Sequence, residues 1–318
     1  MIGHDPSTPD ATPGSLLSGQ GDVHRPVLLD EVLHWLDPKV GGTYCDATVG
    51  LAGHARAILE RSGPDGRLIG IDRDRDALAL STQTLATFGD RVTLVHARFG
   101  EVRRVLDQLH AVPVDGFLVD LGVSSPQLDR AERGFSFQRS GPLDMRMDQS
   151  AGETVADLLR RVDEVELGRI LRDLGEERFA ARIARAVIEA RDRGELSSTG
   201  TLGAVVARAM PHHERHKNPA TRTFQALRIA VNEELVQLDQ FLSQLCDCLR
   251  PGGRVCVIAF HSLEDRIVKR RLRELAARGG VEPPRLRLLN KHVVVAGEEE
   301  RRRNPRARSA KLRAAERI

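Results

Sequence analysis

Asp46-Ala47-Thr48-Val49-Gly50-Leu51-Ala52-Gly53-His54 is the stretch that decides the fold. Residues 43–48 read as a short buried strand, and the turn from Gly50 to Gly53 brings backbone close to any ligand at the start of a helix. Helical spacing runs over residues 54–61, and Ser62-Gly63-Pro64-Asp65-Gly66 stops it. The rhythm then repeats. Residues 67–71 read as a strand closed by Asp72, 74–88 as a helix, 92–97 as a strand, 102–109 as a helix and 114–121 as a fourth strand. Alternation at this spacing predicts parallel βαβ units with right-handed crossovers, the α/β class with a Rossmann-like sheet.

Beyond Leu121 the pattern changes. Residues 125–218 hold no convincing strand; a loop rich in Gly, Ser, Arg and Asp precedes amphipathic helices near 153–161, 163–173, 176–192 and 200–209. A long helix over 233–249, the turn Arg250-Pro251-Gly252-Gly253 and a strand over 254–260 resume the alternation. A helix over 263–278 and a strand near 286–295 follow. The economical architecture is one sheet domain, 23–124 and 219–318, interrupted after its fourth strand by an all-α insert, 125–218, with residues 1–22 as a disordered tail. That tail lacks the basic start and apolar centre of a signal peptide, and no apolar run approaches the roughly 20 residues of a membrane span.

Composition narrows the partner. The net charge is only +3, yet residues 266–318 carry 17 Lys and Arg against 6 Asp and Glu, so the rest of the chain is acidic. A basic block confined to the last fifth suits a polyanion, with a solvated tail as the bland alternative. Cys45, Cys246, Cys248 and Cys256 lie in apolar stretches without CxxC spacing, which reads as buried free thiols in a reducing cytoplasm.

The loop's ligand follows from charge. Ala52 replaces the second glycine of a dinucleotide GxGxxG turn, and Asp72 lies 22 residues past Gly50, where a carboxylate can accept from both hydroxyls of a ribose. Asp46 at the loop's mouth repels a pyrophosphate but attracts the ammonium and sulfonium of S-adenosylmethionine. Phe99, after the third strand, offers a ring to an adenine, and Asp120 closes the fourth. Asp46, Asp72, Phe99 and Asp120 thus converge on the crevice outside the carboxyl ends of the strands.

With those residues in place, the chain resembles the bacterial 16S rRNA (cytosine-N4)-methyltransferases. The resemblance is carried by His24-Arg25-Pro26-Val27-Leu28-Leu29, the 46–54 loop, Gly70-Ile71-Asp72-Arg73-Asp74 and residues 120–129. Arg133-Gly134-Phe135-Ser136-Phe137, residues 141–148, Asn218 to Arg228 and Phe260-His261-Ser262-Leu263-Glu264-Asp265-Arg266 extend it to the C-terminus in family order. It implies a class I methyltransferase sheet and methylation of N4 of one cytidine in the decoding region of small-subunit rRNA, in an assembled or nearly assembled particle. It implies cofactor contacts at Ala52, Gly53, His54, Asp72, Phe99, Asp120 and Gln127. The family more often has Gly at position 52, and a methyl group there is tolerable if φ stays negative.

The chemistry asks for positioning, because the N4 lone pair is delocalised into the ring and the amine is a poor nucleophile. The Asp-Pro-Pro-Tyr-like turn of many amine methyltransferases is reduced here to Asp120-Leu121-Gly122-Val123. Asp120 either accepts from N4–H or is held by the cofactor, the second being favoured. Ser124, Ser125, Asn218, Arg222 and His261 are candidates to hold the base; alternatively His261 packs at the strand end while Ser262 caps the next helix. His212, His213 and His216 read as a polar loop rather than a metal site, and no metal is called for. Asp144-Met145-Arg146-Met147-Asp148 is either an RNA-facing loop or a surface turn. Arg301, Arg302, Arg303, Arg306, Arg308, Lys311 and Arg313 are expected to contact phosphates of a flipped-out cytidine's strand. An NAD oxidoreductase and a non-catalytic ribosome-assembly factor are the rival readings; the first lacks its GxGxxG, the second has no use for four ligand-like strand ends.

Overall fold

The computed structural model describes residues 26–211, 218–277 and 283–318, so the N-terminal tail and the histidines at 212, 213 and 216 lie outside the described residues. The chain opens with α1 (Leu29–Leu36), acidic in its first turn and with His34 in its last, as the helix dipole favours. Val32 and Leu36, four residues apart, are its buried stripe. There follow β1 (Thr43–Asp46), α2 (Gly53–Arg61), β2 (Arg67–Asp72), α3 (Arg75–Leu85), β3 (Val92–His96), α4 (Val102–Gln108) and β4 (Val114–Asp120). This is the expected alternation, with ends shifted by one to three residues, the largest where α3 stops at Leu85 instead of 88.

After β4 the chain leaves the sheet for α5 (Ser125–Asp129), α6 (Val155–Arg161), α7 (Glu164–Gly175), α8 (Ala180–Asp192), α9 (Thr199–Ala209) and α10 (Thr221–Asn232). It returns through α11 (Glu234–Cys248), β5 (Leu249–Ala259), α12 (Ser262–Ala276), β6 (Leu286–Leu288), α13 (Glu298–Arg303) and β7 (Lys311–Arg317). Strand order is β3-β2-β1-β4-β5-β7-β6, with β1 to β5 parallel and β7 antiparallel to both its neighbours.

Side-chain alternation along each strand splits the core in two. Phe117 and Val119 face α4, α11 and α12, whereas Leu118, Tyr44, Cys256 and Ile258 face α1 and α2. Phe117 meets Phe241 of α11 edge-on, centroids 5.5 Å apart, a contact adding roughly 1 kcal/mol to area burial. All four cysteines are free and buried in these layers, and burial pushes the Cys256 thiol well above its usual range. No helix of the described residues is long and apolar enough to cross a membrane.

Three expectations change. The C-terminal basic run is no tail: Lys311–Arg317 threads between β5 and β6, because Leu312, Ala314 and Ala315 are small or flat enough to bury fully in the sheet. The strand near 286–295 shrinks to Leu286–Leu288, with a single further bridge from Val294 to Leu312. The helical cluster takes in Phe224, Leu227 and Val231 of α10 and so extends past residue 218. Glu233, at φ 53°, breaks the chain between α10 and α11 without any glycine.

Candidate active site at the ends of β1, β2 and β4

The loop after β1 is pinned from three sides. Val49 N–H donates to Ile71 O, Ser81 Oγ donates to Gly50 O (2.6 Å), and Asp120 N–H donates to Thr48 Oγ1 (2.7 Å). Gly50 has φ 52°, a region costly for any other residue except at turns. Ala52 also lies there, at φ 63° and fully buried. Its backbone therefore does not keep the negative φ expected for an alanine; the turn dictates a left-handed residue immediately before α2, and the surrounding packing holds it.

Adjacent parallel strands bring three carboxylates to one edge. Asp46 is buried, accepting from Thr48 N–H (3.2 Å). Asp72 accepts from Gly50 N–H (2.9 Å) and Asp74 N–H (2.8 Å). Asp120 keeps Oδ1 buried with no partner among the described residues, while Oδ2 lies 3.5 Å from His54 Nδ1. Burial pushes Asp46 up to about 7 and Asp72 up to about 6, against the pull of their backbone N–H partners. Asp120 is raised well above the usual carboxylate range by burial, then by the charges of Asp46 and Glu264.

Such a cluster favours a cationic ligand. Three acids that resist ionising together gain by binding a positive group and would repel a pyrophosphate. An ammonium and sulfonium pair fits the donor set, with Asp72 free to accept ribose hydroxyls through its remaining lone pairs. Gly53 fits too: a Cβ there would stand 2.4 Å from Pro26 Cγ, so only glycine lets the N-terminal segment lie against the loop. Phe99 sits just past β3, half-buried and edge-on to Phe241.

Other expected residues make structural contacts in the ligand-free chain. Gln127 accepts from Ser124 N–H (2.9 Å) and donates to Asp74 Oδ2 (2.7 Å), so its amide holds α5 against the start of α3. Ser125 Oγ pairs with Arg306, and Asn218 Oδ1 accepts from Ala220 N–H (2.9 Å) ahead of Arg222 in the first turn of α10. His261, not Ser262, caps α12: its Nδ1 accepts from Glu264 N–H (3.4 Å). His261 Nε2 is 3.0 Å from Glu264 Oε1, at ion-pair distance but without hydrogen-bond geometry. Ser262 Oγ turns instead to Glu176 at the end of α7.

Residues 144–148 are largely buried rather than a surface turn. Met145 and Met147 are buried in the helical layer, and Asn232 holds both backbones, accepting from Met147 N–H (2.8 Å) and donating to Met145 O (2.7 Å). Arg133, 2% exposed, donates to Asp74 Oδ2 (2.9 Å) and Met147 O (2.9 Å) and locks this clamp to the sheet domain. Sequence reasoning missed Arg133 and Asp74 as a pair, since 59 residues separate them. Glu264 was within reach: an acid three residues past a cap is a capping-box signal.

The basic C-terminus divides. Arg313 donates to Asp265 (2.6 Å) and Arg306 to Ser125, both part-buried within the fold, while Arg303 pairs with Glu299 on the exposed surface of α13. Arg301, Arg302 and Arg308 border an open groove together with Glu298.

The MraW methylase family model matches residues 22–318. The chain belongs to this family. It is 50% identical over 308 residues to ribosomal RNA small subunit methyltransferase H of Geobacter sp. (strain M21), covering 93% of this chain and 98% of that one. It is 52% identical to the protein of that name from Geobacter sulfurreducens (93% and 99%) and 53% identical to that of Halorhodospira halophila (93% and 94%). This member of the MraW methylase family is accordingly a methyltransferase, and the acidic crevice suits its methyl donor, S-adenosylmethionine.

Proposed function

We propose that the protein methylates N4 of a specific cytidine in the decoding region of 16S rRNA, within the small ribosomal subunit, in the cytoplasm. The observation that carries the reading is the buried, unpartnered Asp120 Oδ1 beside Asp46 and Asp72, in a chain whose close relatives are named as small-subunit rRNA methyltransferases. When bound, S-adenosylmethionine supplies an electrophilic methyl group. Asp46 and Asp72 hold the cationic and ribose portions of that donor. Asp120 Oδ1 is left to accept an N–H of the target amine, which encourages the nitrogen to pyramidalise. After the new N–C bond forms, the nitrogen must lose one proton, and Asp120, paired with His54, is the acceptor within the crevice.

The test is incubation of labelled S-adenosylmethionine with small ribosomal subunits from a strain lacking the enzyme, then nucleoside mass spectrometry. N4-methylcytidine should appear with the wild type and not with Asp72→Ala or Asp120→Ala. Absence of N4-methylcytidine with the wild type, or full activity in both variants, overturns the reading.

A further inference from the structure

A second cationic feature lies away from the crevice. A groove between α12 and the β6–β7 edge is lined by Lys269, Arg273, Asn290, Lys291 and Arg313. Lys269 and Arg273 stand one helical turn apart on the exposed side of α12, and Lys291 is exposed on the segment after β6. Among the described residues no carboxylate comes within ion-pair distance of Lys269, Arg273 or Lys291. The acid at the groove's upper end, Asp265, is already neutralised by Arg313 (2.6 Å) and Lys311 (3.8 Å). Asn290 is fixed by both ends of its amide, donating to Leu312 O (3.0 Å) and accepting from Ala314 N–H (2.9 Å). That wall of the groove is therefore fixed by hydrogen bonds, while Lys269, Arg273 and Lys291 are unspent.

Position supplies the partner. α12, capped by His261, follows closely on β5, whose Ile258 is in register with Asp120. At 1.5 Å per residue, Lys269 and Arg273 lie roughly 12 and 18 Å along the helix from its cap, His261. Lys311, in register with Ala259, stands at the crevice end of β7. Cations thus run from the site down into the groove, a layout suited to successive phosphates of one strand. The Arg301, Arg302 and Arg308 groove is less suited, because Glu298 lines it and Glu299 and Glu300 share its helix.

We infer that the groove formed by Lys269, Arg273 and Lys291 binds backbone phosphates of the RNA strand flanking the target cytidine. The inference rests on the RNA reading above. It is tested with the full-length triple variant Lys269→Ala/Arg273→Ala/Lys291→Ala, by binding to unmethylated small ribosomal subunits across roughly 50 to 200 mM salt. A charge-matched control, Arg56→Ala/Arg160→Ala/Arg193→Ala, removes three cations that already have acidic partners.

The groove variant should bind subunits about tenfold or more weakly, with the logarithmic salt slope reduced by roughly 2 to 3. Its affinity for S-adenosylmethionine should stay at the wild-type value, and the control should bind subunits as the wild type does. Wild-type subunit affinity and salt slope in the groove variant, or an equal loss in the control, overturns the inference. Failure of the wild type to make N4-methylcytidine sinks the parent reading instead, and the two results are read separately.

Discussion

His54 stands between a backbone carbonyl and a carboxylate: its Nε2 is 2.9 Å from Val27 O, and its Nδ1 is 3.5 Å from Asp120 Oδ2. A carbonyl only accepts, so Nε2 carries a hydrogen and Nδ1 is the nitrogen turned to Asp120. The protonation of Nδ1 and of the carboxyl together therefore sets the charge beside the unpartnered Oδ1. Asp120→Asn keeps the shape but cannot take a proton. Its methylation rate in single turnover should fall at least about 100-fold. Its thermal midpoint at pH 8 should hold or rise, because a charge disfavoured by burial is gone. A variant that is both unstable and inactive would make Asp120 structural.

The crevice also makes the ligand-free protein sensitive to pH. Asp46 titrates at about 7 when folded, against 3.8 in its ordinary state. Between those values the unfolded chain has lost the proton and the folded chain has kept it, so folding takes up protons and stability falls as pH rises through the window. The difference is on the order of 4 kcal/mol for Asp46, with Asp72, at about 6, acting in the same direction. Urea midpoints should decline from about pH 4 to pH 7 and decline less in Asp46→Asn. Saturating S-adenosylmethionine should flatten the curve, and binding of that cation should tighten as pH rises through 6 to 7. A midpoint that climbs over the window would show the carboxyls ionised in the folded state.

Much of this site was legible in the residues themselves. Asp46, Asp72 and Asp120 each end a run of apolar residues next to a turn, and parallel strands in adjacent register must deliver such ends to one edge. What escaped was whatever depends on contacts between distant segments. Lys311-Leu312-Arg313-Ala314-Ala315-Glu316-Arg317 reads as a charged tail because its polar face is the more conspicuous; only the pairing with β5 and β6 reveals a strand. The Arg306–Ser125 contact joins positions 181 residues apart and carries no local pattern. The cap at His261 was misassigned because serine is the commoner capping residue, whereas the backbone places the β-region φ and ψ one residue earlier.

Ala52 sets a balance of small terms. A left-handed alanine costs about 1 to 2 kcal/mol. Glycine there relieves that strain but adds about 0.5 to 1 kcal/mol of chain entropy and gives up a buried methyl of about 0.8 kcal/mol. Ala52→Gly should therefore shift stability by less than about 1 kcal/mol in either direction. Ala52→Val adds bulk at a fully buried left-handed position and should cost at least about 2 kcal/mol. Equal stability for the valine variant would mean that the loop relaxes to negative φ.

The last prediction concerns the clamp between the two layers. Arg133 and Asp74 are both buried, and the carboxylate is shared with Gln127 Nε2 while Oδ1 accepts from Asp76 N–H (3.0 Å). Removing the cation alone strands a buried charge, which costs about 3 to 5 kcal/mol. Arg133→Ala should accordingly destabilise by that amount, with partial recovery in Arg133→Ala/Asp74→Asn, because the second change removes the stranded charge yet leaves an acceptor for Gln127. The same guanidinium holds the Met147 carbonyl, so the double variant should regain stability without regaining the fixed geometry of residues 144–148. Its KM for small ribosomal subunits should then remain raised while its affinity for S-adenosylmethionine returns toward the wild type. Recovery of both together would reduce the pair to a stability element with no part in aligning the helical layer on the sheet.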